Sequence, residues 1–382
     1  MQSPGEYGFF NQAKIMSGAG AMDNIPVELD GFDARHPLVL AGKEAASAGL
    51  TKKFLKALGE SNTVVGALYD DVPAYSSAGL VKDLAVFFRD RGCDSIISIG
   101  SGAVVDTAKG VNMAVSTGKD LLDLEGENKI PSHLKPFVAV PTATVAPYDY
   151  TNMAHIDGRL FVSDFLYPDV IAIDPRTVRG CCSDCVLETA MAALTHSVEA
   201  FLAPVPNPVN ETYAYASIRF IADHLAKGLK KPCNKTASLA LVNAAVMGGI
   251  AFANSGAGMA GALGNALSQE TGFGPGLLMG VILPYAVSYR QSKKETFRDD
   301  FLMAVGGLDV FAATGEKERG AKGAEMLLTL LSDIRALPRS LGAMKVPEYR
   351  AQAAAQAAAK SNPGLNARDC EAVMEMALAG SR

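Results

Sequence analysis

Ser95-Ile96-Ile97-Ser98-Ile99-Gly100-Ser101-Gly102-Ala103-Val104-Val105-Asp106-Thr107-Ala108-Lys109-Gly110 decides how the rest of this chain is read. A β-branched run passes without a spacer into Gly-Ser-Gly, and an apolar pattern at helical spacing follows. That order predicts a buried strand, a tight turn and a helix N-terminus, a geometry that offers free backbone N–H groups to a phosphate. Gly100 and Gly102 allow the sharp turn and the close approach of a bulky anion, which a Cβ would hinder. The spacing is not G-x-G-x-x-G, so the turn alone leaves phosphate binding open.

Around this stretch, strands and helices alternate. Residues 8–30 read as two short strands around Ser17-Gly18-Ala19-Gly20 followed by a helix. Strands are expected at His36–Gly42, Thr63–Tyr69, Ile96–Ile99, Phe137–Thr142 and Val170–Ile173, with helices over 45–58 and 78–91 and a chain break at Asp70-Asp71-Val72-Pro73. Such alternation predicts a mostly parallel sheet covered on both faces. From Glu188 onward the pattern is long, alanine-rich and helical, with helices over 188–202, 209–228, 235–253, 258–270 and 276–291 and more beyond 296. Gly256, Gly258, Gly261 and Gly264 imply a helix packed closely on a neighbour or a ligand. The boundary is therefore expected near residue 178, with an α/β domain first and an all-helical domain second.

Composition narrows the function. The 382 residues exceed one average core, 49% of them are hydrophobic, and the formal charge of −5 argues against a nucleic-acid or anionic-membrane partner. The N-terminus has no basic and apolar leader, and no apolar run reads as a membrane span, so a soluble, cytoplasmic protein is expected. Six cysteines are too few and too scattered for a disulfide framework. Cys181-Cys182-Ser183-Asp184-Cys185 contains one C-x-x-C without a second ligand pair, and it reads as structural.

The local words resemble those of the iron-containing (group III) alcohol dehydrogenase family along nearly the whole chain. Gly100-Ser101-Gly102-Ala103 with Asp106 and Lys109 is similar to its G-G-G-S-x-x-D-x-x-K, and Pro141-Thr142-Ala143-Thr144 to its P-T-T-A. Ala172-Ile173-Asp174-Pro175 matches A-I-I-D-P, and Val281-Ile282-Leu283-Pro284 matches L-L-L-P. Residues 189–200, from Thr189 through His196 to Ala200, are similar to T-G-M-D-A-L-T-H-A-I-E-A, and Asn207-Pro208 echoes the family's N-P. The resemblance implies the dehydroquinate synthase-like, group III fold, with an α/β dinucleotide-binding, Rossmann-like domain over 1–178 and an all-helical domain over 179–382, NAD(P) as cofactor and a homodimer.

The departures are informative. The family holds a divalent metal with an aspartate, a histidine one helical turn later, and two further histidines. Here the aspartate position is Ala192, and only His196 of that pair remains. Counted back from Pro284, the later metal histidines fall at Gly261 and Pro275, and the additional catalytic histidine at Asn265. Loss of the metal site is therefore expected, with no bound iron or zinc. A site rebuilt from Glu188, Glu199 or Glu270 with His196 is the weaker alternative.

The family's G-T-G-S-E reads Val145-Ala146-Pro147-Tyr148-Asp149, which puts Tyr148 at the nicotinamide end. Where many members carry a ribose-binding aspartate, this chain has Gly42 then Lys43, which favours NADP(H) somewhat over NAD(H). The resemblance thus implies cofactor contacts at Gly42, Lys43, Gly100, Ser101, Gly102, Asp106, Thr142 and Thr144, with Arg159 carried over weakly because it is one residue out of step.

The function expected first is a metal-independent NAD(P)-dependent alcohol dehydrogenase, or reductase of small aldehydes or ketones. His196 would be the proton donor, with Asn265 and Tyr148 donating hydrogen bonds to the carbonyl oxygen, and Tyr285 is a further candidate more in keeping with packing. The alternative is an inactive or repurposed member that binds a nucleotide or phosphorylated metabolite. A dehydroquinate synthase or glycerol-1-phosphate dehydrogenase chemistry needs the same missing metal.

Overall fold

The structure is a computed structural model, and it describes residues 6–59, 61–142, 144–146, 148–178, 182–295 and 297–380. Ala143, Pro147 and Cys181 lie outside the described residues. The chain forms two compact units: Phe10–Cys182 with Pro232–Asn243, and the described residues of 1–9, 183–231 and 244–382.

The first unit is α/β. Its strands are β1 (Lys14–Ser17), β2 (Pro37–Gly42), β3 (Ala67–Val72), β4 (Ser95–Ile99), β5 (Gly126–Glu127), β6 (Phe137–Val140), β7 (Met153–Ile156), β8 (Arg159–Val162) and β9 (Val170–Ile173). Six of them form a parallel sheet in the order β1-β9-β6-β4-β2-β3. The chain proceeds from β2 outward to β3, returns to β4 on the other side of β2, and continues through β6 to β9. The order therefore reverses between β2 and β4, and ligands of such sheets bind beyond the carboxyl ends of the strands at that point. Gly42 and the Gly100–Gly102 turn follow those two ends. Every residue of β4 is buried, as the central strand of a doubly covered sheet requires.

The helices of this unit are α1 (Ile25–Gly31), α2 (Lys43–Ser47), α3 (Leu50–Leu58), α4 (Ala78–Asp90) and α5 (Ala103–Thr117). Several sequence expectations change here. The helix over 45–58 is two helices, because Gly49 takes φ 70°, a left-handed conformation that ends one and starts the next. Leu50, Phe54 and Leu58 are still the buried face of the second. The third strand runs over 67–72, through the carboxylates expected to break it. It lies at the sheet edge, where only Ala67 and Val72 are buried and Asp70 and Asp71 reach solvent. Of the two strands expected in 8–30, one forms. A small second sheet, β5-β8-β7, was not expected. Its β7–β8 hairpin turns on Asp157 (φ 51°) and Gly158 (φ 73°), a two-residue pair whose Asp-Gly signature is legible in the sequence.

The second unit is helical: α6 (Ser183–Leu202), α7 (Pro208–Lys230), α8 (Lys235–Ser255, its first turns within the α/β unit), α9 (Met259–Thr271), α10 (Pro275–Ser292), α11 (Asp299–Gly306), α12 (Leu308–Ala313), α13 (Arg319–Asp333), α14 (Glu348–Ser361) and α15 (Ala367–Ala379). Two of them, α6 and α8, are long and apolar enough to cross a membrane, contrary to the sequence reading. Both are mostly buried, so they are core helices whose apolar residues face other helices. Glycines set the helix spacing: a Cβ at Gly264 would stand 2.5 Å from Met279 Cγ, and one at Gly280 2.7 Å from Met191 Cγ.

Candidate functional site

The turn after β4 is built as its sequence requires. Gly100 has φ 153° and Gly102 φ 54°. Gly102 is the N-cap of α5 and offers no side-chain cap, so the first amides of the helix need other partners. A Cβ at Gly100 would lie 3.0 Å from Val104 Cγ2, and one at Gly42 3.2 Å from the same atom. Val104 thus packs under both glycines, and their lack of side chains keeps the two strand ends close.

The loop that follows β6 is laced to this turn. Asp149 accepts the Gly102 N–H through Oδ1 and the Ala146 N–H through Oδ2, each at 2.8 Å. The Tyr150 hydroxyl donates to the Gly100 carbonyl at 3.1 Å, and the Ser101 and Thr144 hydroxyls lie 3.2 Å apart. Asp106 accepts the His155 N–H at 3.0 Å, while Lys109 Nζ donates to the carbonyls of Thr151 and Met153 at 2.9 and 2.6 Å. Among the described residues, the amides of Ser101 and Ala103 have no hydrogen-bond partner and remain for an anion.

This geometry sorts the expected cofactor contacts. Gly42, Gly100, Ser101 and Gly102 converge at the switch point, with Thr144 tied to Ser101 and Thr142 half-buried just after β6. Asp106 belongs to the scaffold instead. Its carboxylate supports the loop backbone, and burial raises it to about 6 against the pull of Lys109 and the His155 amide. Lys109 likewise faces inward, 1% exposed, and its ammonium is committed to two carbonyls. Lys43 is highly exposed, 3.8 Å from Asp71 Oδ1. Arg159 sits on β8 in an ion pair with Glu125, so its charge is already matched there. The ring of Tyr148 lies 5.1 Å from that of His155, tilted by 54°. Sequence reasoning gave Asp149 no task, although the acidic end of the family word G-T-G-S-E was its signal.

In the helical unit, His196 is 1% exposed on α6 and packs at 4.5 Å between centroids on Phe252. Neither ring nitrogen has a hydrogen-bond partner among the described residues, and Glu199 Oε2 is 3.9 Å from Nδ1. Burial alone pushes the imidazole down to about 3. Such an imidazole is uncharged near pH 7. A cavity of about 420 Å³ opens nearby, with Glu199, Gly258, Arg290 and Asp369 in its walls, but His196 is not among them.

The carboxylates around His196 are occupied. Glu199 accepts the Gly258 and Gly261 N–H groups at 3.0 and 3.1 Å, capping α9, and burial raises it to about 7 despite those bonds. Glu188 accepts the Gly276 and Leu277 N–H groups at 2.6 and 2.8 Å, capping α10. A Cβ at Gly261 would stand 2.8 Å from Glu199 Oε2 and 3.1 Å from His196 Cε1. The space in which a histidine at 261 would begin is filled by these two side chains. Glu270 is exposed at the far end of α9. Among the described residues no group of three His, Cys, Asp or Glu side chains is placed to hold a metal ion. One imidazole, with the adjacent Glu199 committed to helix amides, does not fit the divalent metal that the motif implies. Asn265 is half-buried on α9, and Tyr285 is buried with its hydroxyl on the Arg339 carbonyl, a packing role.

The family models for iron-containing alcohol dehydrogenase match residues 12–175 and for its C-terminal domain residues 186–375. The chain belongs to the iron-containing alcohol dehydrogenase family. It is 28% identical over 379 residues to long-chain-alcohol dehydrogenase 1 of Geobacillus thermodenitrificans, covering 95% of each chain. Its fold matches that of a 1,3-propanediol oxidoreductase with a TM-score of 0.86 at 24% identity, over 97% of this chain and all of the other. It also matches a sulfoacetaldehyde reductase of Bifidobacterium kashiwanohense, solved in complex with NAD+, with a TM-score of 0.82 at 17% identity, over 98% and 99% of the two chains.

Proposed function

We propose that this chain is an NAD(P)-dependent oxidoreductase acting on CH–OH groups, which interconverts a small alcohol and its aldehyde or ketone without a bound metal. The observation that carries the reading is the Gly100–Gly102 turn, placed at the switch point of the parallel sheet with the Ser101 and Ala103 amides unengaged among the described residues. Those amides and the positive end of α5 suit a diphosphate. The related dehydrogenases and the NAD+ complex of a structural neighbour support the same cofactor class. Lys43 is exposed and would have to exchange its Asp71 partner, 3.8 Å away, for a 2′-phosphate; with no carboxylate at position 42 we put NADP(H) somewhat ahead of NAD(H).

A nicotinamide held at this turn would supply the hydride for the carbonyl carbon, and negative charge would develop on the carbonyl oxygen. A metal would stabilise that charge by several kcal/mol. In this reading a neutral donor does so. Tyr148, on the loop after β6, is the donor proposed here, through its phenolic O–H. His196, buried and with a proton affinity too low for general-acid work near pH 7, takes no step in this reading, and the proton that completes the alcohol is drawn from solvent water. The enzyme is further proposed to be a cytoplasmic homodimer.

The closed surroundings of His196 favour a second reading, a family member that keeps the dinucleotide and has left redox chemistry. One experiment separates them. Titration with NADPH and NADH, followed by nicotinamide fluorescence, is expected to show saturable binding, and an aldehyde panel then oxidation of the bound cofactor. Binding without turnover selects the repurposed reading. No binding at millimolar cofactor contradicts both.

A further inference from the structure

The glycine turn carries a carboxylate on its inner side, and nothing above gives that carboxylate a part in ligand binding. Asp149 is 3% exposed and holds the Gly102 amide from behind, while the Ser101 and Ala103 amides are left for a ligand. Asp106 and Lys109 of α5 face it, Tyr150 of the same loop adjoins it, and His155 of β7 lies against Lys109. Two carboxylates and one ammonium are thus gathered behind the N-terminus of one helix. Lys109 points two of its protons at the carbonyls of Thr151 and Met153, so it offsets the acidic charge only in part.

A diphosphate on the outer amides brings further negative charge to the same helix end. In a poorly solvated setting that repulsion is strong, and a single added proton relieves it. We propose that Asp149 is the positioning residue of the dinucleotide turn, and that cofactor binding is coupled to proton uptake by the buried Asp106–Lys109–Asp149 cluster. The inference rests on the dinucleotide site proposed above. Burial already lifts the Asp149 carboxyl above the ordinary range, with Asp106 adding to the lift, and holds the Lys109 ammonium below its own, so the cluster is poised to exchange a proton.

The test is calorimetric titration of the full chain with NADPH and with NADH at pH 8, in HEPES and in Tris. The 2′-phosphate monoester of NADPH has its second pKa at about 6 and the diphosphate of both cofactors ionises well below that, so neither takes up a proton at pH 8 and any proton taken up goes to the protein. The expected result is a binding heat that depends on the buffer, with Kd weakening by up to about tenfold per pH unit above neutrality, the limit for one coupled proton. Asp149→Asn is expected still to bind, with the buffer dependence gone and Kd flat against pH. Binding by the wild type without proton uptake overturns the inference, as does uptake that persists unchanged in Asp149→Asn. Should that variant not fold, the two-buffer measurement on the wild type decides alone. No binding heat with either cofactor overturns the dinucleotide site itself, an outcome distinct from binding without a proton.

Discussion

His196 and Glu199 respond to pH in opposite senses. The buried imidazole is pushed from 6.5 to about 3, so between those values the unfolded chain binds a proton that the folded chain refuses. Its contribution to stability therefore rises with pH across that window and falls away on acidification. Glu199 is raised from 4.5 to about 7, and between those values the folded chain holds the proton instead, so its contribution falls as pH rises. His196→Leu removes only the first slope. Compared with the wild type, that variant is expected to gain about 2 kcal/mol on going from pH 8 to pH 5, at about 1.4 kcal/mol per pKa unit. Urea denaturation at the two pH values measures it, and an equal difference at both would show that the imidazole titrates normally. That His196 survives from the motif was legible in the sequence. Its neutral state was not, because the aromatic and capping neighbours that dry it, Phe252 and Glu199 with Gly258, are assembled from three helices.

Helices α9 and α10 show how carboxylates and small residues set the ends and spacing of helices. Glu199 caps one and Glu188 the other, and Pro275 stands at the first helical position of α10, where its missing N–H costs nothing. A methyl at Gly264 meets Met279 at 2.5 Å and its backbone nitrogen at 2.9 Å, so the helices must part. Gly264→Ala is expected to cost about 1–3 kcal/mol, read as a lowered urea midpoint with an unchanged slope; a midpoint equal to the wild type's would contradict the close approach. Gly261→His, which restores a family ligand in sequence, is expected to destabilise the fold by displacing Glu199 and to bind no zinc in equilibrium dialysis. Stoichiometric zinc in that variant would contradict the account of a filled site.

The long helices were readable from their pattern to within a few residues at most ends, because a sustained period of 3.6 leaves little choice. The short elements were not. The edge strand slid toward its carboxylates since pairing with β2, rather than apolar content, placed it, and β7–β8 escaped notice because four-residue strands carry little pattern. The glycine turn was legible as a turn, but which amides it leaves open follows from a loop some 47 residues away in sequence.

For the molecule as a whole, a glycine turn stands at the switch point of the sheet, and Glu199 and Glu188 cap α9 and α10 in the helical unit. The proposed enzyme depends on a nicotinamide cofactor and needs no metal. The most direct measurement is metal analysis of the purified chain together with NADPH-dependent reduction of an aldehyde panel, before and after exhaustive chelation. The account predicts less than stoichiometric iron and zinc, and the same rate with and without chelator. Activity that disappears on chelation and returns with iron or zinc would contradict it.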